Sequence, residues 1–580
     1  MSIDGGNLYD FIVVGAGPAG CTLALRLAKS RKKPRVLLVE AGGKNDLVES
    51  RIDGERWLHK ATLPGCNWQS STVPQTGLGG RVLEYDRGKG LGGGTAINFS
   101  YWTIGPASLY DEIAKVVGDD EWRWLNTQAR FKRLESYHSE ASDVPAASEI
   151  YLNPKADDHG AEGPIHVGFP AVWEASLRNE IDIWINNGVA KRNLDHNSGD
   201  PIGMAVCASS AYKGRRSTAA DTLLQAPDNL TILTDASVAQ VLFEARKASG
   251  IQTLAGEKYR ASCEVLLCAG ALATPQILMH SGIGPFAQLS RWDLALLQNN
   301  KNVGEHLRDH LYVPFTWERE EHTSGRSKYF KSKEAQANAR TQWEKDGTGP
   351  LAEFNCTAGL GSLQLKSMLS TSEYRYLPED ARLRLKERAT SSYEVCLGSP
   401  TAKDFQDPEN TRAASTINVV LLGLQSVGTV RLQSSDPAIP LLFDPHYFSH
   451  PFDRRLVIEA TRAVFEVSEK EEFKKDTLRR IAGPESMAEQ DILEYWKQTS
   501  GTAWHACGTA RMGRSEAEAV VDKDFKVFGV QNLRVVDLSV IPFLPSMHTQ
   551  TMAYLVGLMA GDKLAVEYAM DDNEPNIGKQ

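Results

Sequence analysis

The run Tyr9-Asp10-Phe11-Ile12-Val13-Val14 leads directly into Gly15-Ala16-Gly17-Pro18-Ala19-Gly20. Its apolar, β-rich side chains suit a strand buried on both faces. Cys21 to Ala28 carries Leu23, Leu25 and Leu27 among alanines and predicts a helix, and Arg35-Val36-Leu37-Leu38-Val39-Glu40 predicts a second strand. Few folds accept such a unit. The first glycine makes the tight turn, the second lets backbone approach a pyrophosphate, and the third lets helix and strand pack closely. The helix start offers free N–H groups to phosphate oxygens. Glu40 stands where a carboxylate accepts both ribose hydroxyls of an adenosine and repels a 2′-phosphate. Gly15, Gly17, Ala19, Gly20 and Glu40 are therefore expected to hold a dinucleotide without a 2′-phosphate.

The chain of 580 residues is too long for this unit alone. About 150 residues per domain allows four domains, or two large ones of complex topology. A hydrophobic share of 42% supplies ample core and excludes disorder as the dominant state. The net charge of −9 argues against a broad nucleic-acid surface. The eight cysteines form no C-x-x-C pair and read as buried, reduced thiols. No apolar run reaches the roughly 18 residues of a spanning helix. The acidic start MSIDGGNLYD lacks the basic head and apolar stretch of a signal peptide, so a cytoplasmic location is expected. Gly578-Lys579-Gln580 is no retention or peroxisomal address. The sequons at Asn98, Asn229 and Asn355 carry no meaning in that compartment.

Strands alternate with helices to about residue 310. Asn229 to Leu233 and Val238 to Phe243 read as paired strands, and Glu264 to Ala269 as a buried strand ending at Gly270. Residues 318–347 are polar and helix-prone, a solvated face or, as the sharper alternative, a lid over a substrate entrance. Residues 415–445 read as β-rich and 454–500 as helical. A long helix is predicted from near Thr549, with Met552, Leu555, Val556 and Met559 on its apolar face. A second glycine cluster, Gly88-Lys89-Gly90-Leu91-Gly92-Gly93-Gly94-Thr95-Ala96-Ile97-Asn98, offers N–H donors and no bulk to bar a flat or anionic ligand. A third runs from Gly270 to Gly284, where Thr274-Pro275 predicts a helix start.

Together these segments resemble the glucose–methanol–choline (GMC) flavoprotein oxidoreductases. Asn98, Trp102, Gly105 and Asp111 match the first family signature, and 270–284 the second. Asn67-Trp68 with Val73-Pro74-Gln75, the segment Asn302 to His310, Trp504-His505, Gly508-Thr509, Arg511-Met512-Gly513 and Val535-Val536-Asp537 also match. The resemblance spans nearly the whole chain. It implies an α/β fold: a Rossmann-like FAD-binding domain plus a substrate domain with a mainly antiparallel sheet and helices. The FAD domain is expected from 1–164, 206–316 and 499–580, and the substrate domain from 165–205 and 317–498.

The resemblance implies FAD, with Gly92, Gly93, Thr95 and Asn98 on its flavin side. Val238 sits where the family's backbone meets the adenine, and Asp537 where it meets the ribityl–pyrophosphate region. Thr549 and Gln550 belong to the same cofactor set. Ile97 stands where some relatives carry a histidine bonded to flavin, so non-covalent FAD is expected. His505 matches the family's catalytic histidine and His548 its second catalytic position, although Thr549 replaces the proline that usually follows. Trp68, Tyr101, Trp102 and Trp504 are expected near the flavin pocket, where each either shapes it or packs in the core. His306 and His310 flank Asp309 at a spacing that suits a metal, but their place in a family segment assigns them a structural role; no metal is expected.

The chemistry asks for the same residue types. Oxidising an alcohol removes a hydroxyl proton and a carbon-bound hydride. The flavin takes the hydride, and a base titrating near neutrality takes the proton. A second group orients the hydroxyl and steadies the alkoxide. His505 is assigned as base and His548 as partner, with the reverse split open. The expected reaction is oxidation of a primary, secondary or lactol alcohol to a carbonyl, with O2 or another electron acceptor closing the cycle. The substrate is expected to be a metabolite of a biosynthetic pathway, by analogy with intracellular relatives. A flavin-bound, non-redox lyase and a non-catalytic flavin-binding protein are the alternatives.

Overall fold

The computed structural model describes residues 8–56, 59, 63, 65–139, 148–170, 173, 176–323, 332–352, 359–398 and 413–571. Asn355, Cys356, the C-terminal tripeptide and part of the 318–347 run lie outside them. The first sheet contains Leu8–Val14 (β1), Val36–Val39 (β2), Leu230–Leu233 (β3), Val238–Glu244 (β4), Lys247–Thr253 (β5) and Lys258–Leu267 (β6). Their order is β3-β2-β1-β6-β5-β4. The first four of these run parallel, and Leu533–Val535 joins β6 in the same sense. β5 and β4 continue antiparallel from the other half of β6. Val36 to Val39 are wholly buried, as a parallel strand covered on both faces must be.

Pro18–Ala28 (α1) starts at the end of β1 with Gly17 at its N-cap. Gly270–His280 (α2) starts at the end of β6, not at Thr274-Pro275 as expected. Pro275 inside α2 cannot bond the carbonyl of Ala271. The Thr509 hydroxyl donates to that carbonyl instead, at 2.5 Å, which lets the helix continue through the proline. Thr274 donates its hydroxyl to Asp537 (2.6 Å) instead of capping. Gln550–Glu567 (α3) carries the expected Met552, Leu555, Val556 and Met559, all fully buried, and is covered on nearly every side. A Cβ on Gly557 would stand 2.2 Å from the Ala19 carbonyl, so this glycine brings α3 onto the start of α1.

Asn229 to Leu233 and Val238 to Phe243 supply strands, but the two do not pair. β3 joins β2 and β4 joins β5, at opposite edges of the sheet. The Ala236 N–H donates to the Glu40 carbonyl (2.9 Å), so the connection passes over the end of β2 and cannot turn back as a hairpin.

The second sheet is antiparallel. It contains Leu311–Arg319 (β7), Gly359–Leu363 (β8), Tyr393–Leu397 (β9), Ala414–Leu421 (β10) and Thr477–Ala482 (β11), in the order β8-β9-β10-β7-β11. β7 opens inside the stretch that the sequence assigned to the FAD domain. β11 falls in a stretch read as helical; it is a mostly exposed edge strand, so it carries no apolar alternation to betray it. One face of this sheet packs on the helix Pro451–Ser468, with Phe315 edge-on to Phe465 at 5.1 Å. The other face looks toward the first sheet's glycine loops. The helix Lys333–Asp346 buries Trp343 with Ile52 and Leu351, and no residue of 332–347 lines the cavity described below, which leaves the lid alternative without support.

A buried ionic triad joins the long loops. His159 bridges Glu135 and Asp195 at 3.0 Å on each side, and Trp102 donates its indole N–H to Glu135 (3.0 Å). Of the two readings of Trp102, the core one holds: it is fully buried and lies outside the cavity wall. Burial opposes a charge on His159, but hydrogen bonds to Asp195 and Glu135 outweigh it and push its pKa up to about 9. The folded-state pKa is raised, so this stabilisation is complete below pH 6.5 and is lost as pH rises toward 9. The loss is on the order of 3 kcal/mol. His159→Gln should lower Tm at pH 6 and flatten its decline between pH 6.5 and 9 relative to the parent, as read by scanning calorimetry.

Candidate active site

A cavity of about 1030 Å3 runs between the two sheets. Gly15, Gly17, Ala19, Glu40 and Val238 line one end, and Trp504, His505 and His548 the other. Gly93, Thr95, Asn98, Asp537, Thr549 and Gln550 line the stretch between. Gly20 and Gly92, expected to touch the cofactor, lie behind the wall. A Cβ on Gly20 would stand 1.9 Å from the Gly15 carbonyl, and Gly92, at φ +91°, ties its N–H to Ala16 (2.8 Å). Both shape the loops that others present.

The Glu40 carboxylate binds the fold before it binds any ribose. It accepts the N–H groups of Ala16 (2.8 Å), Gly42 (3.0 Å) and Gly90 (2.9 Å). A carboxylate has about four lone-pair sites, so capacity for a ribose hydroxyl remains. It thereby joins the first glycine loop to the second. Asp537 does similar work at α2, accepting the Gly270 N–H (2.9 Å) and the Thr274 hydroxyl. Burial raises its pKa against these donors.

A flat dinucleotide fits this wall. A Cβ on Gly17 would meet no atom within 4 Å, so this position opens straight into the cavity. Gln550 accepts from the Asn98 amide, and its own buried Nε2 has no partner among the described residues. That donor suits a carbonyl of a bound ring. Thr95 spends its hydroxyl inside the loop, on Gly92 (2.6 Å) and Ala219 (3.0 Å). Arg216, which sequence reading overlooked, donates to the Asn98 side chain (2.7 Å) and braces it from behind.

The ring centroids of His505 and His548 lie 4.9 Å apart and edge-on. Sequence reading missed what holds them. His310, assigned a structural role, places Nδ1 2.9 Å from Nδ1 of His505. Asp309 accepts the backbone N–H groups of both His310 (2.8 Å) and His505 (2.7 Å). Glu394 takes Nε2 of His548 at 2.6 Å, while Tyr101 stacks on the same ring at 4.7 Å. Neither His306 nor His310 lines the cavity wall itself. Among the described residues, Glu394, Cys396 and His548 alone bring three ligand-type atoms within 4.8 Å, and they hydrogen-bond to one another.

Burial, then His548, His310 and Arg87, push His505 well below its ordinary range. Burial and His548 likewise push His310 down to about 3. Both rings are neutral at pH 7, so one Nδ1–H donates to the other ring's Nδ1.

Two sequence profiles described as GMC oxidoreductase match residues 9–312 and 425–557. The chain belongs to the GMC oxidoreductase family. It is 31% identical to an oxygen-dependent choline dehydrogenase of Klebsiella pneumoniae subsp. pneumoniae over 96% of each chain. It is 29% identical to pyranose dehydrogenase 2 of Leucoagaricus meleagris over 97% of this chain and 93% of that one. A formate oxidase structure from Aspergillus oryzae RIB40 superposes with a TM-score of 0.87 over 97% and 99% of the two chains, at 24% identity. The enzyme is a GMC-type FAD-dependent oxidase or dehydrogenase, and FAD is the family's typical cofactor. An alcohol-type substrate and an electron acceptor are typical of the family. No helix among the described residues is long and apolar enough to cross a membrane.

Gly17→Val would put a branched side chain where the wall opens. The variant should purify folded but colourless, with most flavin absorbance lost. Normal flavin content would refute the placement.

Proposed function

We propose that this enzyme oxidises an alcohol to a carbonyl with His505 as the base. The observation that carries the reading is the pair of imidazoles facing each other at the cavity end opposite Gly17. A substrate hydroxyl between them meets two different rings. When Nδ1–H of His505 donates to His310, the lone pair of Nε2 is left for the hydroxyl proton. His548 is held at Nε2 by the Glu394 carboxylate (2.6 Å), which fixes its ring in place to orient the hydroxyl and steady the developing alkoxide. Asp309, bonded to both backbone N–H groups, keeps His505 and His310 in line. FAD bound along the glycine-lined half supplies the hydride acceptor.

The cofactor is held without a covalent bond in this reading. Ile97, buried with Leu63 and Cys66, offers no nucleophile where a histidine would stand. The enzyme acts in the cytoplasm on a metabolite; active protein in its natural host's culture medium would oppose that part. The lyase-type reading has no observation in its favour.

His505→Ala should retain yellow FAD and lose about 10²- to 10⁴-fold in anaerobic flavin reduction, the usual share of a general base. Normal reduction would end the assignment. Because the His505 pKa is lowered, the reduction rate should stay level from pH 8 down to pH 6.5 and fall only in more acid buffer. A decline beginning above pH 7 would mean another group is the base.

A further inference from the structure

Strand alternation decides which side chains roof the active end. Glu394, Val420 and Tyr312 form one cross-strand row, and Cys396, Asn418 and Pro314 the next. Neither row contains a lysine or arginine. The one carboxylate, Glu394, is committed to His548 (2.6 Å) and the Cys396 thiol (3.4 Å). Nearby, Asp86 accepts from Asn67 (2.7 Å) and Arg87 donates to the Trp504 carbonyl (2.8 Å). The Tyr312 hydroxyl and the Asn418 amide, both on the cavity wall, have no hydrogen-bond partner among the described residues.

The side walls are aromatic. Phe99 stacks with Trp504 at 6.1 Å and 23°, and Tyr312 approaches Trp504 at 6.1 Å. Trp504 sits at φ +59°, a conformation that a bulky side chain adopts only when its surroundings enforce it. Thr502 accepts its N–H (2.8 Å), and Arg87 takes its carbonyl. The strain falls on the residue that precedes His505 and walls the cavity.

We propose that the substrate is an uncharged aromatic alcohol, its hydroxymethyl group between His505 and His548 and its ring against Phe99 and Trp504. An oxygen substituent on the ring, such as a phenol or methoxy group, reaches Tyr312 and Asn418. The proposal rests on the histidine roles given above. In turnover the hydroxyl would give its proton to His505, and FAD, when bound, would be the acceptor for the hydride lost from the same carbon, which leaves the aromatic aldehyde. A sugar would bury several hydroxyls against roof rows and aromatic walls that offer few groups to satisfy them. A quaternary ammonium could use the aromatic walls, but it would lie near Arg87, and the Glu394 carboxylate is already engaged by His548 and Cys396.

The test is anaerobic reduction of the purified holoenzyme by 4-methoxybenzyl, 4-hydroxybenzyl and benzyl alcohol, cyclohexylmethanol, choline and glucose. The substituted benzyl alcohols should exceed cyclohexylmethanol, choline and glucose at least 100-fold in kcat/KM and benzyl alcohol about tenfold. Asn418→Leu and Tyr312→Phe should bring the 4-hydroxybenzyl to benzyl ratio close to one. Faster reduction by choline or glucose overturns the substrate class and leaves the histidine roles standing. An unchanged ratio in both variants overturns the subsite. Reduction by none of the six overturns the substrate class and the histidine roles together.

Discussion

The buried carboxylate of Asp309 holds the active end together. It accepts the N–H groups of His310 and His505 and the hydroxyls of Tyr85, Tyr447 and Thr502. Burial raises its pKa, and these donors counter that tendency. Its partners come from four separated stretches of chain. Losing this acceptor would leave five donors without it in an interior that offers no water in exchange. The His310–His505 contact, and so the tautomer that frees a lone pair, depends on that anchor.

The two catalytic candidates differ because their neighbours differ. His505 touches another imidazole, and burial, reinforced by His548, His310 and Arg87, favours its uncharged state. His548 meets a carboxylate buried to 1% exposure and is stacked on Tyr101. The two rings thus stand in different surroundings although their centroids are only 4.9 Å apart. Across the cavity Glu40 and Asp537 play an architectural part, tying glycine loops and a helix start to a common wall. The proline in α2 shows the same economy: the carbonyl it leaves free is met by Thr509, in the segment that also carries His505.

Much of the cofactor half was legible in the sequence. A tight turn needs glycine wherever it occurs, so Gly15, Gly17 and Gly93 carry their meaning locally. Gly20 and Gly92 were read as contacts although they act one layer back, since sequence shows which residue is small and not which surface it faces. His505 and His548 were found because short motifs frame them. Glu394 and His310 were not. Each sits at or beside a strand whose residues look like any buried sheet, and their partners lie 154 and 195 residues away. The helix start at Thr274-Pro275 failed for a related reason, since a hydroxyl from a distant segment rescued the proline.

The sequence by itself determined the dinucleotide unit, the α/β class, the family and the two histidines, because these rest on turn chemistry, periodicity and short motifs within the reach of a few residues. Only the tertiary structure decided that β3 and β4 part to opposite edges, that Asp309 gathers five donors, and that Glu394 meets His548 while His310 meets His505. Those outcomes depend on which strands pair and which groups lose water together, and neither is written in the spacing of residues along the chain.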